Sequence, residues 1–266
     1  MKRNLIAKIY LTLTVVILYV PIFYLIYFSF SSGKNMNKFG HFTFEHYQTL
    51  LQDNRLLAIF LETILLALLS SLIATTIGTM GAFAIAIAKK KSQKKTLLSL
   101  NNVLMVSPDV IIGASFLIFF TALGFGLNFG SVLLSHIAFS IPIVVLMVLP
   151  RLEEMDFSLI DAARDLGANS YQVFSRVMLP VLMPGILSGL FMALTYSLDD
   201  FAVTFFVTGN GFSTLSVEIY SRARQGINLE INALSTVMFL LVLVLVGIYY
   251  FLTKQKTRRK IGGMIK

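Results

Sequence analysis

The sequence has no cysteine, and that absence removes three kinds of chemistry at once. No disulfide can brace the fold, no thiolate can hold a metal, and no sulfur nucleophile exists. Histidine is nearly as scarce. His41, His46 and His136 are scattered, without the spacing of a zinc site. Charge is the third shortage: 13% of residues are charged, against about 25% in soluble domains. What fills the space is apolar, with 56% hydrophobic residues and a mean hydropathy of +0.80. A soluble fold of 266 residues cannot bury so much apolar surface, so lipid must be part of the solvent. The net charge of +9 does not point to nucleic acid, because the basic residues sit between the apolar runs and at the C-terminus. That placement orients a chain in a membrane rather than building a phosphate-binding face.

A spanning helix needs about 20 apolar residues to cross about 30 Å of hydrocarbon. Residues 9–30 and 63–88 are uncharged throughout. From Thr96 to Pro150 the only formal charge is Asp109, and this stretch makes two spans, 97–122 and 131–150, turned at Gly124–Gly130. Residues 181–208 make a fifth span, interrupted by Asp199 and Asp200, and 231–253 make a sixth. Lys2 and Arg3 precede the first run as they would in a signal peptide, but its length, its internal Pro21 and the lack of a small-x-small cleavage site favour a retained span. No internal repeat divides the chain, so residues 1–266 read as one all-α membrane domain.

The gaps set the topology. Lys and Arg number three before the first span, five in Lys89–Lys95, three in Arg151–Arg176 and six after Thr253. The alternate gaps hold three, none and two. The positive-inside rule places both termini and the 151–180 loop in the cytoplasm. The tail Lys254–Lys260 reads as an anchor to anionic lipid.

Three carboxylates, Asp109, Asp199 and Asp200, fall inside apolar runs. Each costs about 2.5–3.5 kcal/mol at a helix centre. Such a cost marks a pathway, an ion pair or a water-filled cavity, unless the groups sit near the outer interface. No Lys or Arg lies in these runs to pair with them. Asp109 stands about 21 Å along a helix from Lys95, and Asp199 about 28 Å from Pro180. Both distances reach the middle or outer half of the bilayer, from two helices that can face one cavity. Neighbouring helical residues project about 100° apart, so only one of Asp199 and Asp200 points squarely inward; which one stays open. Tyr196, one turn earlier, offers an aromatic face to an ammonium group. Glu62 reads as an acid at the start of the second span, and His136 as a hydrogen-bonded packing residue.

The 151–180 loop is polar among greasy neighbours. Ser158 is a plausible helix N-cap and Gly167 a plausible stop. Leu159, Ala162, Ala163 and Leu166 form an apolar stripe with helical spacing. A second short helix begins at Asn169 or Ser170 and is expected to stop at Pro180. So small a pair cannot cover its own stripe, which must lie either on its own bundle or on a partner.

The spacing here resembles a motif of bacterial ABC-importer permeases: Glu-Ala-Ala, three residues, Gly, nine residues, Ile-x-Leu-Pro. This chain has Asp161-Ala162-Ala163, Gly167, then Val177-x-Leu179-Pro180, with Asp for Glu and Val for Ile. Met105–Ser115, Tyr196–Gly209 and Glu230–Thr236 extend the resemblance to the permeases of spermidine/putrescine importers. The resemblance implies a type I importer fold of six transmembrane helices, N-in and C-in, in a bacterial inner membrane. It also implies a homologous second permease, a dimeric ATPase docked on the Asp161 helix, and an extracytoplasmic substrate-binding protein. Segments Phe42–Leu51 and Ser213–Gly226 would meet that binding protein. ATP and Mg would be bound by the ATPase, and none by this chain, which lacks a Gly-x4-Gly-Lys-Ser/Thr phosphate loop. Asp109, Asp199, Asp200 and Tyr196 would line the polyamine path. The first alternative is the same machine carrying another cationic or small organic solute; the rival of another class is a self-contained channel or secondary transporter, for which a coupling motif has no use.

Overall fold

The computed structural model describes residues 2–33, 36–156, 158–209, 211–225 and 229–263, with side chains between 7 and 251. Every regular element among the described residues is helical. The order is α1 (Lys2–Ser29), α2 (Glu45–Gln52), α3 (Asn54–Ala86), α4 (Lys91–Val106), α5 (Asp109–Ala122), α6 (Phe129–Glu153) and α7 (Ser158–Asp165), continuing through α8 (Ser170–Gln172), a π-helical stretch Val173–Met178, α9 (Leu179–Asp199), α10 (Ala202–Val207), α11 (Leu215–Gln225) and α12 (Leu229–Gly263). Five helical stretches are long and apolar enough to cross a membrane, or six if α4 and α5 form one bent span. Gly226 and the side chains of the Lys254–Lys260 tail lie outside the described residues.

Four sequence expectations are corrected. The expected 97–122 span is two helices meeting at 102°. Ser107 precedes Pro108, and both adopt extended backbone (ψ 137° and 136°) because a residue before proline is driven out of the helical region. Asp109 therefore opens a helix instead of riding in the middle of one. The expected 181–208 span ends at Asp199 and resumes at Ala202. Pro180, in contrast, stops nothing: Ser170–Asp199 is continuous. The turn before it is π-helical, with the Leu179 N–H donating to the Phe174 carbonyl five residues back. The wider turn accommodates a ring that would crowd the carbonyl four residues back in a regular α-helix. Glu62 also lies well inside α3, which begins at Asn54.

The chain packs as two compact units, Met1–Ala58 with Glu218–Val246 and Ile59–Val217 with Gly247–Lys266. In the first, the Phe30 ring stacks on Phe42 at 5.2 Å and meets Phe44 edge-on. An ionic cluster ties helix ends here. Arg222 bonds Glu218 at 2.8 Å and Asp53 at 3.3 Å, and reaches Glu230 at 3.5 Å, while Arg55 bonds Glu218 at 3.2 Å. Asp53 also caps α3, accepting the Arg55 and Leu56 N–H groups. In the second unit, Val144, Val148 and Leu152 of α6 pack with Leu182 of α9 and Ala82 of α3. A second cluster joins Leu66, Ile112, Phe120, Val132, Phe139, Val203 and Val207. Gly113 lets α5 come close to α10, since a Cβ there would lie 3.0 Å from the Val203 Cα.

The Leu56 amide, then Arg222 and the Arg55 amide, hold the Asp53 carboxyl below the usual carboxylate range against partial desolvation. A depressed pKa contributes stability at neutral pH that disappears as pH falls through the depressed value. Asp53→Asn should therefore lower the thermal midpoint of the detergent-purified protein at pH 7. The two proteins should converge as pH drops below the ordinary carboxylate range. A pH-independent gap would assign the loss to the cap alone.

Candidate functional site

The site lies at two helix interruptions in the second unit. At the first, Asp109 is the leading residue of α5, exposed, in the turn where the helix dipole favours an acid. At the second, Asp199 ends α9 and is exposed. Tyr196, half-buried one turn before, joins them: its hydroxyl donates to Asp109 Oδ1 at 2.9 Å, and its ring meets Phe139 edge-on at 5.0 Å. The structure thus joins Asp109 of α5 to Tyr196 of α9, with Asp199 one helical turn beyond that tyrosine.

Asp200 has a different environment. Its side chain is 6% exposed. Oδ1 accepts the Val203 N–H at 3.2 Å, and Oδ2 accepts the Thr204 N–H at 2.8 Å and the Thr204 hydroxyl at 2.7 Å. The carboxylate thereby caps the first turn of α10, whose leading N–H groups have no partner within their own helix. The far end of α10 is satisfied in the same way, by Ser131 Oγ donating to the Val207 carbonyl at 2.9 Å. The two neighbouring acids diverge because the helix ends between them, not because helical residues project 100° apart.

His136, fully buried on α6, is the base within the apolar runs that a search for Lys and Arg passes over. Its Nε2 lies 2.9 Å from Thr204 Oγ1 and 3.5 Å from Asp200 Oδ2, and its Nδ1 lies 2.6 Å from Ser197 Oγ. Ser197 continues to Ser70 Oγ of α3 at 3.0 Å. The expectation of a hydrogen-bonded packing residue describes His136, but its position beside Asp200 was not anticipated. The sequence held one signal for it: Asp200 and Thr204 stand four apart in an apolar run that also needs a break.

The 151–180 loop forms the helix-turn-helix its spacing suggests. Asp156, not Ser158, caps α7, accepting the Ser158 N–H at 2.9 Å; the Ser158 hydroxyl and amide hold the Asp156 carboxyl below the usual range. Gly167 closes α7 at φ +82°, with its N–H donating to the Arg164 carbonyl and the Ala168 N–H donating to the Ala163 carbonyl. This pair of bonds defines the Schellman stop, which favours glycine. Asn169 and Gln172 form a reciprocal capping box on the next helix. Asp161 and Ala162 are exposed, Ala163 is half-buried, and Leu166 is 89% exposed. Gly167, Leu166 and Arg176 edge an open hollow of about 330 Å³. Leu179 and Pro180 lie where the π-helical stretch passes into α9. No residue of α7 is buried, so the apolar stripe has no cover of its own.

The family of binding-protein-dependent transport system inner membrane components matches residues 74–260. The chain belongs to this family. Among permeases of known assignment, it is 36% identical over 250 residues to the spermidine/putrescine transport system permease protein PotC of Shigella flexneri, covering 94% of each chain. It is 33% identical over 241 residues to the putrescine transport system permease protein PotI of Escherichia coli K12, covering 88% of this chain and 84% of that one. A bacterial ABC transporter involved in import of the acidic polysaccharide alginate superposes with a TM-score of 0.72 at 19% identity, over 97% of this chain and 96% of that one. The fold is therefore that of an ABC importer permease, embedded in the membrane by several passes.

The two acids make opposite predictions for stability. Asp200→Asn should lower the thermal midpoint of the purified permease, because a buried acceptor serving two amides and a hydroxyl is weakened, at a cost of about 1–3 kcal/mol. Asp199→Asn should leave the midpoint unchanged. Equal shifts in thermal unfolding would show that the burial difference has no energetic consequence.

Proposed function

We propose that this chain is a permease subunit of an ATP-driven polyamine importer in a bacterial inner membrane. Both termini and the 151–180 loop face the cytoplasm. The observation that carries the reading is the exposed Asp109 bonded to the Tyr196 hydroxyl, with the exposed Asp199 one helical turn beyond that tyrosine, in apolar runs without a Lys or Arg. A polyamine carries several ammonium charges on an apolar stem. Spaced carboxylates offset the desolvation of those charges, an aromatic face receives the cation, and an anion is repelled. The same fold serves alginate, an acidic polysaccharide, in the neighbour described above, so the sign of the cargo rests on side chains and not on topology. The relatives named for spermidine and putrescine support the same reading.

The uncovered face of α7 supports a separate ATPase, two copies of it, as the docking partner. Ala162 allows close approach, Asp161 is an exposed acid with no charged partner among the described residues, and Gly167 holds the turn. The π-helical stretch and α9 lead continuously from this loop to Asp199, giving closure of the ATPase a rigid route to the site. ATP and Mg are bound by that partner. A homologous second permease and an extracytoplasmic binding protein complete the complex, the latter meeting α2 and α11. A self-contained channel has no use for the exposed α7.

The test is ATP-dependent uptake of labelled putrescine or spermidine by the complex reconstituted in proteoliposomes. Uptake that needs no ATP, or none at all, contradicts the reading. In the same assay Asp161→Lys, present at normal level in the membrane, should abolish uptake and uncouple it from hydrolysis; transport at the wild-type rate would remove α7 from the coupling route.

A further inference from the structure

We infer that His136 is a positioning residue that holds the break between α9 and α10, and so keeps the end of α9, where Tyr196 meets Asp109 and Asp199 is exposed, in place; the functional consequence rests on the reading that these groups meet the cargo. One imidazole bridges both lips of the interruption. Its Nδ1 faces Ser197, two residues before α9 ends, and its Nε2 faces Thr204, in the first turn of α10. The hydrogen-bond direction follows from the partners. The Thr204 hydroxyl gives its proton to Asp200, so its oxygen accepts from Nε2–H. In a neutral ring Nδ1 then accepts from the Ser197 hydroxyl, whose oxygen also lies 3.0 Å from Ser70 Oγ of α3.

Each atom in this chain has a partner on another element, and the ring sets the spacing between the two hydroxyls. Burial makes the arrangement hard to replace. His136, Ser197, Thr204 and Ser70 are at most 1% exposed, so no water stands ready for a lost contact. Ser216 Oγ adds a bond to the Leu198 carbonyl, a group left free by the end of α9. The interruption is thus satisfied from α3, α6 and the start of α11, and the ring of α6 is the member that spans it. Without that bridge the apolar stretch 191–207 has less to keep it from relaxing toward a straight helix, which would disturb the end of α9 where Tyr196 meets Asp109.

The absence of native cysteine makes the geometry of the break measurable. Spin labels at Met192→Cys on α9 and Phe205→Cys on α10, both exposed sites, report across the break in the full-length chain in lipid nanodiscs. A straight helix would separate their backbones by about 20 Å. His136→Leu should broaden the distance distribution and shift it toward that value. It should also lower labelled spermidine uptake at least several-fold, with the protein still at normal level in the membrane. His136→Gln, which keeps one donor and one acceptor, should recover part of both and carries the measurement if the Leu variant fails to insert. An unchanged distance distribution in His136→Leu overturns the proposal, as does a shifted one with wild-type uptake, or Gln no better than Leu. The label distance is read without any amine, so a complex that imports no polyamine defeats the cargo assignment and leaves the hinge result standing.

Discussion

A carboxylate inside an apolar run has to be held by something, and the way Asp200 is held organises the whole site. Two backbone amides, one hydroxyl and a nearby imidazole surround it. These contacts offset a burial cost that membrane insertion would otherwise penalise by about 2.5–3.5 kcal/mol. They also supply partners that backbone groups need when a helix stops in a medium without water. The break is therefore affordable, and it frees the adjacent Asp199 to face outward from the packed unit. One acid shapes the backbone, and its neighbour is available for chemistry.

The same logic operates on α5. Pro108 imposes a 102° turn, and Asp109 lands on the first residue of a helix, where its charge is favoured and the Tyr196 hydroxyl can reach it. Two interruptions of different origin, one by proline and one by a side-chain cap, thus meet around a single tyrosine. Gly113 makes the meeting possible by letting α5 lie against the backbone of α10.

Much of this was legible in the residues. The apolar runs correspond to long helices, the Asp161–Pro180 spacing identified the family, and Gly167 sits at the positive φ its position demanded. Asp109, Tyr196 and Asp199 were singled out by charge and aromatic spacing alone, and the first two meet through a hydrogen bond. What was not legible has a common cause: hydropathy measures how apolar a stretch is, not whether its backbone stays helical. The 97–122 run passed as one span because Ser107-Pro108 adds little polarity, although it disfavours helix. Pro180 was read as a stop because a π-helical turn leaves no compositional mark. Asp200 looked like a twin of Asp199 because a cap on the first turn of the next helix leaves no mark in hydropathy and its one distant partner, His136, comes from α6. The ionic cluster around Arg222 joins residues more than 160 positions apart, which no local pattern encodes.

The central claim is that a carboxylate pair at the interrupted helices carries cationic cargo. It is tested most directly by initial rates of ATP-driven spermidine uptake in proteoliposomes containing the complex with Asp109→Asn or Asp199→Asn, at matched membrane levels. Asparagine keeps the volume and most of the hydrogen bonding while removing the charge. A charge-assisted hydrogen bond contributes about 1.5–3 kcal/mol, so uptake should fall at least several-fold in each. Near-wild-type uptake in both variants would contradict the account.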